Sequence, residues 1–239
     1  MEFIVILFYV AQFSVFILAL SIHEAAHAFA SNKLGDPTAK VMGRLTLNPV
    51  AHVDPIGTIV MPLVAFFTRI PVIGWAKPVP VNTYNLRDPK VDHALIAVAG
   101  PLSNFIQAVI FTAVLWLMEP LAGGVVQGIL TSSNSPIHMI KLFIYMICIA
   151  GIIVNLLLAV FNLIPIPPLD GGWILGGVLP DSFSQVLLSI GQFGFIIIWF
   201  LLYAGFFSFV LYPILNSYLG FVLPSDGGMV VGYIFSRVF

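Results

Sequence analysis

Phe3 to Leu20 is an uncharged apolar run, and it continues without a break into Ser21, Ile22, His23, Glu24, Ala25, Ala26 and His27. About 20 apolar residues span a bilayer. Inside hydrocarbon the backbone must satisfy its own hydrogen bonds, and for a single segment that means a helix. On a helix, His23 and His27 lie one turn apart on one face, with Glu24 beside them. Ionisable groups are costly in a membrane helix and are ordinarily functional there. Two imidazoles four residues apart can share one metal ion. A neighbouring carboxylate can take a proton from a water which that metal polarises. Hydrolysis within the membrane is the chemistry implied.

Composition agrees with a membrane setting. Of 239 residues, 60% are hydrophobic and 8% charged, with a mean hydropathy of +1.07. A soluble domain carries about 25% charge. The apolar runs are continuous rather than alternating, which excludes an outer-membrane barrel. A net charge of −1 gives no footing for a nucleic-acid partner. The single cysteine, Cys148, excludes an intramolecular disulfide and reads as a small buried hydrophobe. The N-terminus lacks a basic leader and a small-residue cleavage site, so it reads as a retained first helix.

The pattern predicts an all-α polytopic membrane protein of about five to six membrane segments. It forms a single membrane-embedded domain over 1–239, with its core at 3–180. Residues 3–31, 93–118 and 142–164 are clear spans, and 183–223 is long enough for one or two more. Residues 56–73 are apolar but short, interrupted by Pro62, Arg69 and Pro71. Ala39 to Leu47, with Gly43 near its turn, reads as a small β-like hairpin. Lys33, Lys40, Arg44, Arg69, Lys77, Arg87 and Lys90 carry most of the positive charge, and 119–137 carries none. The positive-inside rule then puts 33–90 in the cytoplasm and 119–137 outside. For this to hold, 56–73 must be re-entrant or lie at the interface. The active centre then faces the cytoplasmic leaflet of the cell (inner) membrane.

A catalytic zinc usually has three protein ligands and one open position. Asp170 is the sole acid between Glu119 and Asp181, and it follows Asn162-Leu163-Ile164-Pro165-Ile166-Pro167-Pro168-Leu169. The prolines break the helix, and Gly171 and Gly172 permit unusual backbone, so this carboxylate can be bent into the bundle. The topology places it on the same side as His23 and His27.

His-Glu-Ala-Ala-His on the first helix and Asn162 to Gly172 after a later one together resemble the site-2 protease family of intramembrane zinc metalloproteases. Gly43 to Gly57, Gly74 to Asn82 and Ala99 to Asn104 are similar to its compact prokaryotic branch, which carries no PDZ or CBS domain. The resemblance implies one zinc per chain on His23, His27 and Asp170, with Glu24 as the catalytic carboxylate. It also implies that Asn162 lies near the site, where it could serve the oxyanion. The substrate it implies is a transmembrane peptide within the lipid bilayer. His52 sits in a turn-rich loop, either pinning that loop or contacting substrate. Asn104 and Gln107 read as interhelical hydrogen-bonding groups, and His93 and His138 as interfacial. A transporter or a metal-binding membrane protein would also use buried His and Asp, but has no particular use for Glu24 between the histidines.

Overall fold

The structure is a computed structural model that describes residues 2–68, 74–122 and 136–222. Among the described residues nine α-helices follow in order: α1 (Glu2–Leu34), α2 (Thr38–Val41), α3 (Met61–Thr68), α4 (Pro89–Ala122), α5 (Pro136–Asn162), α6 (Asp170–Val178), α7 (Asp181–Ile190), α8 (Gly194–Tyr203) and α9 (Phe206–Val222). The described residues contain no strand. Four stretches among them are long and apolar enough to cross a membrane: Ile6–Leu34, Pro89–Met118, Ile140–Asn162 and Asp181–Tyr203, the last made of α7 and α8. Phe209–Val222 is apolar but shorter.

The core is the seam between α1, α4 and α5. Phe8, Ala11, Val15 and Ala19 of α1 meet Ala108 and Leu115 of α4 and Met146, Ile149, Ile152 and Leu156 of α5, all buried. Several of these are alanines, which let membrane helices approach closely where apolar burial alone gives no drive to associate. Leu18 of α1 and Ile106, Val109, Ile110 and Leu117 of α4 point outward and exposed, as lipid-facing positions should. α6 packs across the N-terminal half of α4 and so brings the segment after α5 back to the bundle.

Residues 39–47 form no hairpin, contrary to the expectation from sequence. Ala39 to Val41 belong to α2, and Gly43, at φ +71°, turns the chain away after it. The reason lies just upstream. Asp36 is buried, and its carboxylate accepts hydrogen bonds from the Thr38 backbone N–H and hydroxyl, which bend the chain into the first turn of α2. The same carboxylate accepts from Ser31 of α1, the Asn82 amide and the Asn85 side chain. Burial alone would raise its pKa, but these donors hold it at about 2.

The apolar segment at 56–73 begins as a π-helical turn, Pro55–Val60, and continues as α3; residues 69–73 lie outside the described residues. Asp54 caps the turn, accepting from Ile56 and Gly57. Residues 74–82 carry no regular secondary structure and form a strap. Trp75 donates to Gly57 O, Lys77 donates to His52 O, and the Thr58 hydroxyl donates to Trp75 O.

Candidate metal centre

His23 and His27 come from consecutive turns of α1, and Asp170 is the first residue of α6. The two Nε2 atoms lie 3.0 Å apart. Asp170 Oδ2 is 3.2 Å from His23 Nε2, and Oδ1 is 3.4 Å from His27 Nε2. One donor atom from each residue lies within 4.8 Å of the other two. α6 starts here because Gly171 and Gly172 let it fold onto the residues before it. A Cβ on Gly171 would stand 2.3 Å from Leu163 O, and one on Gly172 2.4 Å from Pro167 N. Across the bundle, a Cβ on Gly100 of α4 would fall 2.3 Å from His27 Nε2. The space in front of the imidazoles therefore exists because residue 100 has no side chain.

Hydrogen bonds fix the Nδ1 side of both rings. His27 Nδ1 faces the Ile96 carbonyl at 2.8 Å, and since a carbonyl only accepts, Nδ1 carries the proton. His23 Nδ1–H donates to Asn104 Oδ1 at 2.6 Å, and Asn104 Nδ2 donates to Asn155 Oδ1 at 2.8 Å. Asn155 is anchored in turn to Gly151 O of its own helix. In the neutral form of each ring, Nε2 is then a bare lone pair. Two lone pairs and a carboxylate then converge in a buried space, and Asp170 Oδ2 has no hydrogen-bond donor. Such a cluster calls for a cation, and a His, His, Asp donor set with one side open suits zinc. Outer partners that set the tautomer are the usual companions of metal-binding imidazoles.

Glu24 is buried on the same turn of α1, and its Oε2 accepts from the Val79 amide of the strap at 3.2 Å. The two other candidates from sequence have local partners. His52 is fully buried, with Nε2 donating to Thr46 O at 2.8 Å. Asn162 donates to Leu158 O, one turn back in α5. The amide that reaches a histidine is Asn104, and Asn155 stands behind it. Asn104 is legible in sequence as an interhelical amide, but its partner on α1 is not, and Asn155 is missed there.

Residues 11–202 match peptidase family M50, the site-2 protease family. The chain belongs to that family. It is 37% identical over 201 residues to the Bacillus subtilis protein named "Putative zinc metalloprotease YwhC", an alignment that covers 84% of each chain. It is 27% identical over 223 residues to "Putative zinc metalloprotease Rip2" of Mycolicibacterium smegmatis, covering 91% of this chain and 78% of the relative. A Mycobacterium tuberculosis protein of the same name is 27% identical over 205 residues, covering 82% of this chain and 69% of the relative. No solved structure matches. As an M50 peptidase this chain is a zinc metalloendopeptidase, which separates it from the transporters that a buried His and Asp cluster could also serve. The four long apolar helices among its described residues make it a membrane metalloprotease.

Proposed function

We propose that this M50 peptidase hydrolyses peptide bonds within or near transmembrane segments, at a zinc ion held by His23, His27 and Asp170, with Glu24 as general base. The observation that carries this reading is the convergence of two Nε2 lone pairs and an unpartnered carboxylate oxygen beside Glu24, within helices of membrane length. Bound there, zinc would polarise water and the scissile carbonyl, bringing the pKa of the water toward 7.

The chain's own residues do the rest. Asn104 and Ile96 O hold the Nδ1 side of both imidazoles and aim their Nε2 atoms. Glu24 accepts the proton of the attacking water and returns one to the leaving nitrogen, a role typically worth 10²–10⁴-fold. The Val79 amide of the strap donates to Glu24 Oε2 and holds that carboxylate beside the histidines. An unwound substrate also needs partners for its freed backbone groups, and the strap, Trp75 to Asn82, is the candidate edge for strand addition. Asn162 and His52 are held in reserve for oxyanion or substrate contacts. The Lys/Arg asymmetry supports a cell-membrane orientation in which the centre opens toward the cytoplasm.

The test is cleavage of a single-span substrate in detergent by wild type, by chelator-treated and zinc-restored enzyme, and by Glu24→Gln. Chelation should abolish cleavage and zinc should restore it. Glu24→Gln should keep its zinc and lose at least about 100-fold in rate. Activity near that of wild type in this variant would remove Glu24 from the mechanism.

A further inference from the structure

Outside the ligand cluster, the described residues line an open cavity of about 320 Å³ between the start of α4, α6 and α7. One wall is a ring pair: His93 of α4 stacks on Trp173 of α6, with centroids 4.3 Å apart and planes tilted by 30°. Trp173 is one turn beyond Asp170. His93 is one turn before Ile96, whose carbonyl holds His27. Residues at that spacing lie roughly 5–6 Å apart on a helix. The pair therefore stands next to the ligand cluster.

Two adjacent glycines on α6 show what kind of cavity this is. A Cβ on Gly177 would strike Ala94 Cβ at 2.3 Å, so packing against α4 forbids a side chain there. A Cβ on Gly176 would meet Ser184 Oγ at 3.4 Å and Leu188 Cδ2 at 3.6 Å, both ordinary contacts. Packing does not require glycine at 176, and its bare Cα widens the cavity. The charged groups on the cavity wall neutralise each other, with Lys90 Nζ donating to Asp181 Oδ1 at 2.7 Å. What remains is a space of ligand-pocket size whose apolar wall is Pro89, Trp173 and Leu188, with His93, Ser184 and Gln185 among its polar groups.

We infer that this cavity receives a bulky apolar or aromatic substrate side chain, one or two residues from the cleaved bond. This rests on the proposal that cleavage occurs at His23, His27 and Asp170. An extended peptide advances about 3.3 Å per residue, so a side chain one or two positions from the cluster reaches the His93–Trp173 wall. Gly176 and Leu188 then set the size of side chain accepted.

The experiment uses single-span substrates that differ only at the residues flanking the cut, carrying Ala, Leu or Phe. They are offered to wild type, Gly176→Ala, Leu188→Ala and Glu24→Gln, with zinc content measured for each. Alanine favours the helix at 176, so that variant keeps its fold. Gly176→Ala should lower kcat/KM for the Phe substrate about tenfold relative to the Ala substrate, since one methylene in an apolar pocket discriminates by that order. Leu188→Ala should shift preference the opposite way, toward Phe, and zinc should be unchanged in both. Equal slowing of all substrates would make the cavity a water path and overturn the inference, as would unchanged selectivity in both variants. Failure of the underlying mechanism looks different: wild type would cut no substrate, or Glu24→Gln would cut as wild type does.

Discussion

Asn104 Oδ1 accepts a 2.6 Å hydrogen bond from His23 Nδ1 across 81 positions of sequence. The bond keeps the proton on Nδ1 and turns the Nε2 lone pair toward His27 and Asp170. Asn104→Leu should therefore weaken zinc binding about 10–100-fold, the usual effect of losing such a partner. Competition with a graded chelator measures it. Unchanged zinc affinity would leave Asn104 as a packing amide only.

Gly100→Ala and Asp170→Ala should both yield protein with little zinc, for different reasons. The first places a methyl where a Cβ stands 2.3 Å from His27 Nε2. The second removes a ligand. Helical content by circular dichroism should stay near wild type while metal analysis shows the loss. Stoichiometric, tightly held zinc in an inactive Asp170→Ala would assign Asp170 another role.

Asp36 makes a prediction about pH. Its carboxyl sits at about 2 in the folded protein against an ordinary value of 3.8. A depressed pKa contributes stability that is fully present above pH 3.8 and is lost as pH falls through about 2. Asp36→Asn should therefore lower stability by about 1–3 kcal/mol near neutrality, the cost of hydrogen bonds lost to a charged acceptor. The gap from wild type should close between about pH 4 and pH 2 in thermal unfolding. A gap independent of pH would mean that the charge is immaterial.

Orientation can be read with single cysteines at Lys40, Arg87 and Ser133 in a Cys148→Ser background. Lys40 and Arg87 are exposed in the fold, and Cys148 is buried. An impermeant thiol reagent on intact cells should label position 133 and spare 40 and 87. Labelling at 87 without 40 would mean that 56–73 crosses the membrane once, and the positive-inside reading would fail.

The sequence by itself determined what depends on local periodicity and solvation. An uncharged run of membrane length had to be a helix, and the spacing of His23 and His27 had to place them on one of its faces. A proline-broken segment with a lone acid, Asp170, was the obvious candidate to meet them. Tertiary structure decided what depends on partners far away in the chain. Asn104 and Asn155 look alike in sequence, as amides in apolar spans, and only the α1–α4–α5 packing puts one on His23 and the other behind it. Gly43 is compatible with a hairpin turn or a helix end, and the hydrogen bonds of Asp36 to Thr38 chose the helix. The strap at 74–82 has the composition of an edge strand, yet among the described residues it joins no sheet and instead lays the Val79 amide on Glu24. In each case the local sequence allows several conformations of similar energy. The choice falls to whichever buried polar group finds its partner once the helices pack.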